Sequence, residues 1–355
     1  MDFKWLFALK GSLTKRQGLI LTLLGLTVLL LIWIFLTSGT DPIMARSSLP
    51  HPYRVLTAFG ELYSDNELIM NMMRSIGLNI GGYIKAIAYA IPIGFIVGLV
   101  PLFRGSFQRV VDAIRFLPLT ALTILFIIWF GIYTEAKINF LAFGIFIYLL
   151  PIVIQRIDEV DDVYVKTVYT LGANYWQTIW TVYLPAVISK LSDDIRILTA
   201  ISWTYIIVAE TSADQGGLGS LIFRTGQRMG RIDKTFACLI IILIIGIFQD
   251  RIFSYLDRKF FPYKYQVKAT YEGKELKHVS EWDVLIDYTM TVLTWVFMSI
   301  YLLLMINEFY PVMSGIIGNS KPLSYLFGDA QWTIHVIFFL VLFYQVYQFF
   351  FKNKK

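Results

Sequence analysis

Residues 156–190 read RIDEVDDVYVKTVYTLGANYWQTIWTVYLPAVISK, a polar and aromatic stretch set between two largely apolar runs, 138–155 and 194–211. Its local signals define two short helices joined by a sharp turn. Asp161 and Asp162 are good first residues for a helix running to Leu171, and Gly172 suits the left-handed position that ends it. Asn174, followed three residues later by Gln177, reads as a variant capping box opening the second helix. Leu184-Pro185 closes that helix before the next apolar run. Taken alone, these residues make an amphipathic pair at a membrane face, and an ordinary interfacial loop fits them equally well.

The flanking runs are typical of the chain. Of its 355 residues 57% are hydrophobic and 16% charged, and the mean hydropathy is +0.62. The apolar residues come in runs of about twenty with the charges gathered between them, the pattern a hydrocarbon core imposes on helices. The expected fold class is therefore all-α and polytopic, with eight spans at 18–36, 77–101, 116–132, 138–155, 194–211, 235–254, 284–306 and 331–351. The first run is longer than a signal-peptide core and lacks a small-x-small cleavage site, so it reads as an anchor. Between spans, 21 of the 31 Lys and Arg residues fall on the side of the N-terminus and nine on the other, with Lys85 inside the second span. Both termini are accordingly expected in the cytoplasm.

Several chemistries are excluded. Cys238 stands alone, and His51, His278 and His335 are too dispersed for a local metal motif. No G-x-x-x-x-G-K-[ST] occurs, since the one Gly-Lys, Gly273-Lys274, is followed by Glu275. No nucleophile, base and orienter appear together, so an enzyme is not expected. The basic excess is interspersed among the spans and reports sidedness rather than a nucleic-acid partner.

Particular residues carry competing readings. Gly77/Gly81 and Gly94/Gly98 are small pairs that allow close helix approach, or glycines merely tolerated in a span. Pro92, Pro118 and Pro151 are expected to kink helices. Lys85 can snorkel along its own helix. Glu210, near the outer end of the fifth span, can shape or gate a path, although a boundary residue capping the span is the weightier reading. Gly216, Gly217 and Gly219 make a tight outer turn. Arg224, Arg228 and Arg231 follow at helical spacing and would share one face, suited to an acidic docking surface, an anion or plain solvent. Asp193, Asp194 and Arg196 read as an interfacial ion-paired cluster.

Gly172, Val182 ten positions on, and Leu184-Pro185 together resemble the signature of binding-protein-dependent ABC importer permeases, E-A-A, three residues, G, nine residues, I, one residue, L-P. The E-A-A positions are Lys166, Thr167 and Val168, so the first half of the motif is absent. Thr170-Leu171-Gly172-Ala173 and Tyr175-Trp176-Gln177 are similar to the nitrate, sulfonate and taurine group. Leu49-Pro50, Pro52 and Val55-Leu56 resemble that group's external L-P-x-P-x-x-V-L segment, and Gly217-Leu218-Gly219 with Leu221-Ile222 its G-L-G-x-L-I loop. The resemblance covers residues 18–265.

It implies a type I importer-like core of six spans. Residues 172–177 (Gly172, Ala173, Asn174, Tyr175, Trp176 and Gln177), with Leu184 and Pro185, would form the coupling helix resting on a separate ATPase, where Tyr175, Trp176 and Ile179 supply an apolar anchor. Glu210, Gly217 and Gly219 would lie near the pathway or outer gate, and the three arginines near a docked binding protein. The implied partners are two ATPase subunits, an external substrate-binding protein, a second permease copy as a homodimer, and membrane lipid. No cofactor is expected on this chain; ATP and Mg belong to the ATPase. The expected organisation is a cytoplasmic tail (1–17), the core (18–265), a cytoplasmic linker (266–282) and a two-span extension (283–355) outside the usual core. The expected function is import of a small solute of the nitrate, sulfonate or taurine class across the cytoplasmic (inner) membrane by alternating access. The rival is a non-transporting membrane subunit that relays ATPase motion to an envelope partner.

Overall fold

The computed structural model describes residues 14–211, 216–264, 281–310 and 321–347. Nearly all of the expected N-terminal tail, the linker over 266–280 and the end of the chain lie outside the described residues. Every regular element among the described residues is helical. Helix α1 (Lys15–Thr37) opens with a capping box between Thr14 and Gln17. Its leucines are largely exposed, Leu29 at 65%, as a lipid-facing helix requires. Trp33 tethers it, donating from Nε1 to the Pro50 carbonyl at 3.0 Å. Helix α2 (Pro52–Asp65) has Pro52 in its first turn and His51 as its cap, and buries Val55, Ala58 and Leu62.

Helix α3 (Leu68–Leu99) contains Pro92 and is followed by α4 (Pro101–Ile114) and α5 (Leu119–Phe130), which meet at 109° across Pro118. Helix α6 (Thr134–Asp158) contains Pro151. The short α7 (Asp162–Thr170) and α8 (Tyr175–Thr178) lead into α9 (Leu184–Thr211); α10 (Leu218–Ile222) and α11 (Ile232–Phe260) follow. Below, the bundle end that carries α7 and α8 is the inner end and the opposite one the outer end.

Helices α3, α6 and α9 form the centre, with α6 between the other two. The glycine pair Gly94/Gly98 makes the α3–α6 contact close: a Cβ on Gly94 would lie 2.5 Å from Val153 Cγ1, and one on Gly98 2.8 Å from Ile157 Cδ1. One apolar cluster, including Leu78, Phe140, Leu141 and Ile206, fills the outer half. Another, including Ala90, Leu149, Val153 and Leu191, fills the inner half.

Among the described residues six helices are long and apolar enough to cross a membrane, and α4 with α5 makes a seventh if the bent pair is one span. The remaining expected span, 194–211, is the outer part of α9. That span is less apolar because Asp194, Arg196 and Glu210 interrupt it, and each of the three binds a neighbouring helix or the outer loop.

The extension packs on the bundle. Its described elements are α12 (Glu281–Phe309), α13 (Pro322–Phe327) and α14 (Gln331–Tyr347). A Cβ on Gly77 of α3 would lie 3.2 Å from Phe327 Cδ1 and 3.4 Å from Ala330 Cβ, so this small position receives the extension. At the inner end Phe260 and Tyr344 place their ring centroids 4.5 Å apart, and the Tyr255 and Thr291 hydroxyls are 2.8 Å apart.

Candidate functional site

The turn between α7 and α8 is built from local signals. Asp161 accepts from the Val163 amide at 2.9 Å and so caps α7. Gly172 ends the helix at φ +82°, and no atom lies within 4 Å of a Cβ built there, so the left-handed backbone alone demands glycine. Asn174 Oδ1 accepts from the Gln177 amide at 2.8 Å while the Asn174 amide donates to Gln177 Oε1 at 2.9 Å, completing the capping box. The turn therefore projects a ridge of exposed apolar side chains. Leu171 and Tyr175 are both 81% exposed, and Trp176 and Trp180 also face out. Ile179 is only half-buried, and Trp180, its ring 6.3 Å from Trp176, takes the third exposed place expected of it.

Leu184-Pro185 does not close the second helix. A π turn over Ile179–Tyr183 carries α8 directly into α9. Pro185 has no amide to donate, and the widened turn, in which Leu184 donates to the Ile179 carbonyl, takes the proline ring without a break. Residues 175–211 are thus continuously helical.

Ion pairs brace the inner end. Asp193, Asp194 and Arg196 are ion-paired, each to another helix rather than to one another: Asp194 to Arg156, Arg196 to Asp250 and Asp193 to Lys264. Arg104 pairs with Asp158 and Lys190 with Glu159. The Arg156 guanidinium, hydrogen-bonded to Glu159, holds that carboxyl below the usual glutamate range.

At the outer end Glu210 is completely buried. Its Oε1 accepts from the Ser75 hydroxyl and its Oε2 from the Gly219 amide, both at 2.7 Å. Ser75 Oγ in turn accepts from the Leu218 amide at 2.8 Å, and Asn71 Oδ1 accepts from the Gly217 amide at 2.7 Å. Lys137, also buried, interacts with Glu210 electrostatically. Three successive amides at the start of α10, which no helical carbonyl can satisfy, thus end on α3 and α9 side chains. Glycine is required at both ends of this motif: a Cβ on Gly217 (φ +107°) would lie 2.3 Å from the Glu210 carboxyl, and one on Gly219 2.7 Å from the Ile207 carbonyl oxygen. Glu210 caps not its own helix but the next one.

The three arginines do not share a face. Arg224 and Arg228 lie in a π segment, Phe223–Arg228, where Arg228 sits 5.2 Å above the Phe223 ring. Gly230 (φ +65°) then reverses the chain. Arg231 beyond it donates to Glu61 at 2.7 Å and to Asp233, tying α2 to the start of α11. Lys85 is half-buried and borders two cavities of about 480 Å³ each, one whose lining includes Glu135 and Asp329, one walled by Tyr89, Phe126 and Phe143. Among the described residues no group of three or more His, Cys, Asp and Glu side chains is placed to hold a metal.

Asn71, Ser75 and Asn79 were not singled out from the sequence. Their spacing of four along an apolar helix, continued by Tyr83, is the signal that marks them: Asn79 donates to Ser202 Oγ at 2.9 Å and Tyr83 to the Ile195 carbonyl at 3.2 Å.

Residues 90–262 match the family described as binding-protein-dependent transport system inner membrane component. Among curated proteins, the taurine transport system permease protein TauC of Escherichia coli K12 is 27% identical over 270 residues, covering 75% of this chain and 95% of that protein. The putative aliphatic sulfonates transport permease protein SsuC of Bacillus subtilis 168 is 28% identical over 259 residues, covering 73% and 91%. Among solved structures, a chain of a bacterial ABC transporter involved in import of the acidic polysaccharide alginate aligns with a TM-score of 0.47 at 16% identity, covering 70% of this chain and 97% of that one. With the glycine turn, its L-P pair and the G-L-G loop all in place, residues 90–262 match the binding-protein-dependent inner membrane component family, and the chain is similar to the taurine and sulfonate permeases.

Proposed function

We propose that the chain forms the transmembrane path of an ATP-driven importer for a small solute of the nitrate, sulfonate or taurine class. It would work by alternating access in the cytoplasmic membrane, with both termini inside. Residues 18–265 would form the transport core, 266–282 a cytoplasmic linker and 283–355 an added pair of helices. The observation that carries the coupling reading is the ridge at the Gly172 turn. Leu171, Tyr175, Trp176 and Trp180 all expose large apolar side chains at the inner end, and aromatic anchors of this kind are what a groove on a partner protein takes.

The partner in this reading is an ATPase subunit. Binding of ATP closes two such subunits, the segment around Gly172 moves with them, and two permease copies open outward to a binding protein that delivers the substrate. Hydrolysis reverses the motion. Substrate preference follows only the names of the relatives. The Glu210 loop and the exposed Arg228 sit at the end where a binding protein would dock.

The test is reconstitution in vesicles with its partner ATPase and binding protein, scoring ATP-dependent uptake of labelled taurine, alkanesulfonate and nitrate. Uptake of one of them, abolished by Trp176→Asp, supports the reading. An intact complex that hydrolyses ATP and takes up none of the three refutes the substrate class, and failure of the ATPase to associate refutes the coupling role.

A further inference from the structure

The chain between the ATPase-facing turn and the outer loop is one unbroken lever. Residues 175–211 are helical throughout, and past Pro185 they contain neither proline nor glycine. At about 1.5 Å per residue the 28 residues of α9 reach about 42 Å, enough to cross a membrane. The inner end of this lever is the apolar ridge. Its outer end is Glu210, one residue before the helix stops.

At that end Glu210, with Ser75, joins α9, α3 and the start of α10 at one point. Its two oxygens take the Gly219 amide and the Ser75 hydroxyl. By fixing the Ser75 proton toward itself it leaves a Ser75 lone pair for the Leu218 amide. Glu210 thereby controls two of the three anchors of the loop, and only the Asn71–Gly217 bond is independent of it. Below it, Asn79–Ser202 and Tyr83–Ile195 tie the same two helices at successive turns, so α3 and α9 are joined at three levels. Buried polar groups at membrane depth cost heavily unless matched, so these rungs hold a single register.

We propose that Glu210 is a positioning residue of the transport cycle: it makes the outer loop 216–228 the far end of a rigid α3–α9 body whose near end is the ATPase-facing turn. This rests on the coupling reading above and extends it to the outer gate. Movement of the turn is delivered to the loop without sliding of α9 along α3, and the loop follows because Glu210 holds it.

The test uses the full complex with its ATPase, in a Cys238→Ala background. Gln227→Cys, on the exposed side of the loop, reports labelling by a water-soluble maleimide with and without ATP. The expected result is an ATP-dependent labelling rate with Glu210 present, and equal rates in both states with Glu210→Ala, while ATPase association persists. Glu210→Gln, which keeps an acceptor for the Gly219 amide, should recover part of the ATP dependence; a merely structural packing role would leave the ATP dependence intact in all three. If Glu210→Ala does not assemble, Ser75→Ala is read in its place, with Ser75→Thr as the rescue. In a second arm, Asn79→Cys with Ser202→Cys, linked by a short bifunctional thiol reagent, should leave ATP-driven cycling intact. Transport stopped by that link, or loop labelling that still follows ATP in Glu210→Ala and Ser75→Ala, overturns the proposal. Absence of any ATP response with Glu210 present, although the ATPase is bound, refutes the coupling reading itself.

Discussion

Arg156 donates from Nε and Nη2 to the two carboxylate oxygens of Asp194, each at 2.7 Å. This two-point bond joins the end of α6 to α9 and closes the intervening segment, with its apolar ridge, into a handle gripped at its base. Lys190 adds a second clasp on Glu159 at 3.2 Å. A handle transmits force only if its base is stiff, so under the coupling reading the pair bears on force transmission as well as on stability.

Arg156→Ala should strand the mostly buried Asp194 carboxylate, 11% exposed, whereas Asp194→Ala leaves Arg156, 26% exposed, with Glu159 as its remaining partner. The expected cost is about 2–3 kcal/mol, below the ~3–5 kcal/mol for breaking a fully buried pair because Arg156 keeps some solvent. The double variant Arg156→Met with Asp194→Leu should be less destabilised than either single one. A melting series in detergent measures this, and additive losses in the double variant would show the pair to be uncoupled.

Gly172→Val should act differently. No side chain obstructs a Cβ there, so its cost is confined to holding a branched residue at φ +82°, about 1–2 kcal/mol, and the turn relaxes rather than the bundle unfolding. Trp176→Asp removes an outward-facing ring that meets Trp180 but no buried core residue of the two main clusters, and places a charge on the ridge. Both variants should insert and melt near the parent temperature yet fail to retain the ATPase on co-purification. Normal retention in both would remove the ridge from the interface.

How far the sequence alone reached follows from the range of each interaction. Asp161, Gly172 and the Asn174–Gln177 box were legible because each depends on residues within four positions of it. Glu210 was visible only as an ionisable oddity, since its partner Ser75 lies 135 residues away. The L-P pair misled because a π turn can absorb a proline that ordinary helical spacing cannot. The arginine face failed because helical spacing across Gly230 assumes a helix that the left-handed residue interrupts. Gly77 was legible as a place of close approach, but that the extension fills it depends on packing across the whole chain.

The Glu61–Arg231 pair predicts a pH response at the outer end. The Arg231 hydrogen bond lowers the Glu61 carboxyl below its ordinary 4.5. A depressed folded-state value means that the stabilisation is complete above the unfolded value and is lost as pH falls through the folded one. Docking of α2 on α11 should therefore be unchanged from pH 8 to 5 and loosen in more acid medium. Glu61→Gln should show the looser state at neutral pH and lose this contribution to the pH dependence. Limited proteolysis of α2 across pH in parent and variant reads both effects, and identical profiles would discard the pair as a tether.

The extension supplies the last expectation. Truncation after Lys264 removes the side chains that pack against Gly77, leaves Tyr255 and Phe260 without their partners Thr291 and Tyr344, and takes the Asp329 acceptor from Thr134. The outer end of α3 would lose apolar cover, and the truncated protein should melt several degrees lower. Among the described residues the ridge on α7 and α8 forms no ion pair or ring contact with the extension, so the cut leaves it untouched. ATPase retention should therefore survive, and under the importer reading so should stimulation by the binding protein and substrate. If stimulation survives while the melt falls, the extension is a brace on α3. If instead no substrate stimulates either form, and a co-purifying envelope protein is lost on truncation, the chain relays ATPase motion through its extension and the importer reading falls.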